Sequence, residues 1–244
     1  GEIVSSRMVE NYVYLVTSEY ADSRRHPVPW VTQDGVFRKM ELSDLCSVPE
    51  PQSPSYIILS SVDITSGERV QCKSKAIFGA SEDIYCNNEN LYMAASEYNE
   101  NTGSTDTRIV RASLDGAKIG FEATGTVNGT ILGQFSMDEK DGCFRVATTS
   151  RREGMEVNNL YTLDADLKEM GRLTGFARNE SIRAVRYIGE KAYVITFRQV
   201  DPLFVIDLSD PMHPAIEGEV EIDGFSSLLV PVEGDRLLGI VKQI

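Results

Sequence analysis

The feature that most constrains this chain is an internal repeat. Segments 9–17, 88–96, 140–148 and 188–196 share one pattern. A polar or turn-forming stretch leads into a short apolar and aromatic run that ends in small or hydroxyl residues. Segment 232–240 begins the same way. Aligned on Tyr92, Phe144 and Tyr193, the copies recur at about 50 residues, whereas the step from Val13 to Tyr92 is about thirty residues too long. A second series keeps the same step. Residues 57–63, 108–112, 160–164 and 203–207 are β-rich runs, three of them ending in Asp63, Asp164 or Asp207, and turn signals such as Thr65-Ser66-Gly67, Asp115-Gly116 and Ser209-Asp210-Pro211 follow. A further run comes after each turn, at 68–78, 117–127, 169–176 and 215–222.

Each period therefore holds four short strands, which predicts an all-β chain built as a β-propeller of four-stranded antiparallel blades. A β-sandwich also uses short antiparallel strands, but it gives no reason for two motif series to keep one step of about 50 residues. The blades are placed at 1–79 with an insertion at 19–55, then 80–128, 129–177 and 178–224. A partial blade of two strands is placed at 225–244. Four blades and a half do not close a ring of the usual kind, so the expectation is an arc of a larger propeller, with self-association through exposed blade edges.

Composition narrows function more than fold. With 37 acidic and 24 basic side chains the formal net charge is −13, the wrong sign for displacing counterions from a polyphosphate, so no nucleic-acid partner is expected. The longest apolar runs, 192–197 and 203–208, are far below the ~18 residues needed to cross a bilayer, so no membrane insertion by this segment is expected. No signal-peptide pattern opens the chain, and Gly1-Glu2 reads as either an added scar or an internal boundary. Cys46, Cys72, Cys86 and Cys143 form no CxxC pair, and their disulfide state stays open.

Chemical motifs are sparse. No phosphate loop, HExxH or GxSxG is present, His26 and His213 are the only imidazoles, and no catalytic residue or metal ligand is assigned. Asp164-Ala165-Asp166 resembles the start of a calcium loop but lacks its glycine and terminal glutamate. The better reading is that Asp63, Asp164 and Asp207 accept hydrogen bonds from the turn following each third strand. The acidic surface is compatible with weak surface calcium, and no other cofactor is expected.

The thirty-residue excess carries the functional expectation. It is read as a long structureless loop, a partner-binding flap emerging with the other second-to-third-strand loops, which are placed at 97–107, 150–159 and 198–202. Candidate partner-binding residues on these loops are Arg24, Arg25, Trp30, Tyr98, Arg151 and Arg198. Trp30, the one tryptophan, is either an interface anchor or a residue packed on its own domain. The arginines either line an anionic site or pair with neighbouring acids.

The run 192–198, continuing through Asp201-Pro202-Leu203-Phe204-Val205-Ile206-Asp207-Leu208-Ser209-Asp210-Pro211 to Gly224-Phe225-Ser226-Ser227, resembles the secreted bacterial and archaeal β-propeller domain proteins, distantly related to WD40 repeats. Ser5-Ser6-Arg7-Met8, the run 12–17 and Pro54-Ser55-Tyr56 follow the same family order. The resemblance implies a secreted or cell-surface protein and supplies no catalytic residue. Two functions are carried forward: an extracytoplasmic module that binds a protein or polysaccharide, and a carbohydrate-active hydrolase or lyase using acidic residues at the channel mouth.

Overall fold

The computed structural model describes residues 1–22, 27–33, 35–65, 67, 72–80, 83–100, 102–197, 201–222, 225–232 and 236–242. Seven strands come from the first 78 residues: β1 (Glu2–Val9), β2 (Tyr12–Tyr20), β3 (Trp30–Gln33), β4 (Val36–Lys39), β5 (Leu45–Ser47), β6 (Ser55–Asp63) and β7 (Cys72–Phe78). The second group is β8 (Asp83–Cys86), β9 (Asn90–Asn99), β10 (Ser104–Asp115) and β11 (Lys118–Asn128). The third is β12 (Met137–Lys140), β13 (Cys143–Arg152), β14 (Met155–Leu163) and β15 (Glu169–Phe176). The fourth is β16 (Ser181–Ile188), β17 (Lys191–Phe197), β18 (Asp201–Asp207) and β19 (Ala215–Ile222), followed by the pair β20 (Phe225–Val232) and β21 (Arg236–Lys242).

The last three groups before that pair are four-stranded sheets in simple sequential order; β8 pairs antiparallel with β9, and neighbours in the third and fourth groups are antiparallel throughout. The fold is therefore all-β, a β-propeller of four-stranded blades, with two further strands at the end. The first sheet has the order β1-β2-β6-β7-β5, so its blade gains a fifth strand from the insertion.

The chain divides into two compact units, Gly1–Ala95 with Ile109–Thr124, and Ser96–Arg108 with Gly125–Ile244. In the first, Tyr14, Val16, Leu59 and Ile77 of blade one pack with Leu91, Met93, Val110 and Ala112 of blade two. In the second, Ala147, Leu160 and Phe176 of blade three pack with Val185, Val194, Phe204 and Ile206 of blade four. Burial on both faces is why β17 reads as a near-continuous apolar run rather than an alternating one.

Three devices fix the blades. The strand-ending aspartates act as expected: Asp63 Oδ1 accepts from Thr65 N–H at 2.8 Å, Asp164 Oδ1 from Asp166 N–H at 2.9 Å, and Asp207 Oδ1 from Ser209 N–H at 2.9 Å. The turn between third and fourth strands is also seated on the preceding blade. Gly116 C=O accepts from Ser61 at 2.7 Å and Tyr14 at 2.9 Å, and Pro211 C=O accepts from Thr162 at 2.5 Å. Finally, buried polar side chains on third strands hold the link to the next blade. Thr107 donates to Gly129 C=O at 2.6 Å, and the Asn158 amide reaches Phe176, Ala177 and Glu180 carbonyls at 3.4, 3.2 and 3.0 Å.

The expected loops differ in two places. Strands β13 and β14 run on to Arg152 and from Met155, so only Glu153 (φ 53°) and Gly154 (φ 82°) make the turn, in place of a loop at 150–159. The residues paired there include Thr148, Thr149, Ser150, Asn158 and Asn159, which look loop-like by composition. Likewise β9 reaches Asn99 and β10 begins at Ser104, which shortens the loop placed at 97–107.

Candidate functional site

The insertion is not the structureless loop expected of it. Asp34-Gly35 is a dipeptide suited to a two-residue hairpin, and β3 pairs with β4 in the register Trp30↔Lys39, Val31↔Arg38, Thr32↔Phe37 and Gln33↔Val36. Gly35 has φ 75°, the left-handed conformation that such a turn requires. A 3₁₀ turn at Leu42–Asp44 leads into β5, which pairs in parallel with β7 through Leu45↔Ala76, Cys46↔Ile77 and Ser47↔Phe78.

Several contacts weld this segment to its blade. Ala21 N–H donates to Pro54 C=O at 2.8 Å and closes the neck of the insertion. Met40 N–H donates to Pro29 C=O at 3.0 Å, and Tyr56 O–H to Pro27 C=O at 3.1 Å. Beneath the hairpin, Met40, Ile58 and Ala76 form a buried cluster with Val28, Val31, Leu45 and Tyr56 against it. One face of blade one thus packs on blade two and the opposite face is covered by the insertion.

Where the insertion meets the start of β7 and the β10–β11 turn, a cavity of about 610 Å³ opens. Its lining is strongly basic: Arg38 and Lys39 from β4, Lys73 and Lys75 from β7, and Lys118 from the start of β11. Glu41 and Asp44 are the acidic members. Among the described residues Arg38, Lys39, Lys73 and Lys75 form no ion pair, and Lys118 lies 3.8 Å from Asp115 in an exposed contact of little strength. Beside the cavity, burial pushes the Cys46 thiol up to about 11, partly opposed by the charge of Lys75.

The structure disperses the residues singled out from sequence. Trp30 is on β3 in the first unit, 43% exposed, in register with Lys39. Tyr98 is on β9 and Arg151 on β13, both in the second unit. Tyr98 is exposed, and Arg151 donates Nε–H to Gly154 C=O at 3.3 Å within its own hairpin. Arg24, Arg25 and Arg198 lie outside the described residues. Sequence reasoning singled out the insertion and missed the cations gathered beside it.

His213 is exposed and held at 2.8 Å by Asp210, and among the described residues no group of three or more His, Cys, Asp or Glu side chains is placed to hold a metal. The four cysteines are free. No helix among the described residues is long and apolar enough to cross a membrane.

Comparison with known proteins agrees with the blade architecture. A family model described as a beta propeller domain matches residues 1–244. An uncharacterised protein of Archaeoglobus fulgidus is 32% identical over 242 residues, which cover 97% of this chain and 37% of that protein. An uncharacterised protein of Methanocaldococcus jannaschii is 42% identical over 139 residues, 56% of this chain and 22% of that protein. The chain thus spans well under half the length of either relative.

Proposed function

The chain belongs to the beta propeller domain family, and from that premise we propose that it is an extracytoplasmic interaction module holding a protein or polysaccharide partner at the insertion on its first blade. One observation carries the reading. The insertion spends its apolar side chains Val31, Met40 and Leu45 on anchoring itself to the blade, yet presents Val36, Phe37 and Leu42 to solvent at 65, 71 and 77% exposure. A rigid hairpin with exposed anchors beside a polar cavity has the composition of a recognition surface.

The test uses substitutions, because deleting the insertion would strip the cover from Ile58 and Ala76. Trp30→Ala with Phe37→Ser is expected to reduce retention of cell-surface polymers and proteins by about tenfold against the unaltered chain, in line with loss of interface anchors. Retention equal to that of the unaltered chain overturns the reading. Assaying the retained glycans for new reducing or unsaturated ends separates binding from hydrolase or lyase action.

A further inference from the structure

The cavity beside the insertion gathers positive charge in a chain of net charge −13. Such a concavity raises the local concentration of anions and is relieved of like-charge repulsion when one binds. Its volume lies within the ~300–1,000 Å³ of ordinary ligand pockets. We propose that this cavity is a binding site for the acidic sugars of a carboxylated polysaccharide, an inference that rests on the insertion being the partner-binding element.

Three features select that chemistry. The cations are four lysines and one arginine, so they offer rotatable N–H donors to oxyanions more than a fixed fork for one geometry. No aromatic side chain is among the lining residues, so a nucleobase gains no stacking platform. Glu41 and Asp44 share the cavity with the cations. A bare polyanion meets repulsion from both carboxylates. A sugar acid brings a carboxylate for the lysines and hydroxyl donors for Glu41 and Asp44, and so satisfies both signs of charge.

Calorimetric titration of the chain with short oligogalacturonate, a neutral galactose oligomer of equal length, and inorganic polyphosphate tests the assignment. Oligogalacturonate is expected to bind about tenfold or more tightly than the neutral oligomer, and to weaken as salt is raised. Lys73→Gln with Lys75→Gln is expected to remove about tenfold of that affinity, and Lys75→Arg to retain most of it. Glu41→Gln is the discriminating variant: it weakens a ligand whose hydroxyls donate to Glu41 and strengthens a bare polyanion. Equal binding of both oligomers, an unaffected double lysine variant with an unchanged melting temperature, or oligogalacturonate binding that tightens in Glu41→Gln overturns the proposal. If oligogalacturonate fails while the hairpin substitutions still abolish partner retention, the acidic-sugar assignment falls and the interaction reading stands.

Discussion

Gly171→Ala is expected to unseat the turn of blade four from blade three. A Cβ built on Gly171 would lie 2.4 Å from Pro211 O, 2.6 Å from Met212 O and 2.7 Å from Met212 C, all backbone atoms that no side-chain rotation can move. Gly171 is not in the left-handed region, so alanine meets no conformational penalty, and the stiffer unfolded chain would favour the variant by about 0.4–1 kcal/mol. Against this stand an overpacking cost of about 1–3 kcal/mol and the loss of the Thr162 to Pro211 hydrogen bond, about 0.5–1.5 kcal/mol. The net expectation is destabilisation by about 2 kcal/mol, or a fall in melting temperature of roughly 4–8 °C for a chain of this size. Gly218→Ala is the matched control, since a Cβ there meets nothing within 4 Å and its φ is also outside the left-handed region. Thermal unfolding followed by circular dichroism should place Gly171→Ala below the unaltered chain and Gly218→Ala at or slightly above it. If Gly171→Ala melts as high as Gly218→Ala, the turn does not seat on the preceding blade as described.

Asn158→Ala removes an amide shared among three blade-link carbonyls and the acceptor of Thr149 O–H at 2.8 Å; urea unfolding should show a loss of about 2–4 kcal/mol, and a loss below 1 kcal/mol would deny the link its role. Thiol titration of the denatured chain without reductant should count all four cysteines. In the native chain at pH 8, Cys46 and Cys86, whose thiols burial pushes up to about 11, should alkylate slowly. Asp207 is held below the ordinary aspartate range by hydrogen bonds from the Ser209 N–H and hydroxyl, and Asp210 by His213 and the Met212 N–H. A depressed folded value stabilises fully above the unfolded pKa and fades as pH falls through the folded one. Stability should therefore decline below about pH 4, and Asp207→Asn should reduce part of that slope; an identical acid profile in the variant would refute the linkage.

Blade architecture was legible because its signals are local or periodic. The aspartates at 63, 164 and 207 bond to backbone two residues on, so residue type and position suffice to read their role. The seats and links between blades were not legible. Thr162 meets Pro211 only after the chain has passed through the rest of its own blade and most of the next, and the glycines that permit the close approach, Gly125 beside Leu167 and Gly171 beside Pro211, look like ordinary strand glycines in sequence. The insertion lies between these cases. Its Asp34-Gly35 dipeptide is a local hairpin signal, but the three-residue parallel pairing of β5 with β7 has no sequence signature.

The basic cavity shows why a composition argument excludes less than it first suggests. A net charge of −13 sets the field around the molecule as a whole, where mainly the sum of charges matters, and salt screens that field beyond about a Debye length. Within about 8 Å, the screening length at physiological salt, a ligand senses the side chains it touches. Arg38, Lys39, Lys73, Lys75 and Lys118 are distant in sequence and scattered among acids, and they meet because the insertion folds back over the open stretch of β7 beside the β10–β11 turn. Acidic character overall and a cationic pocket locally are therefore compatible.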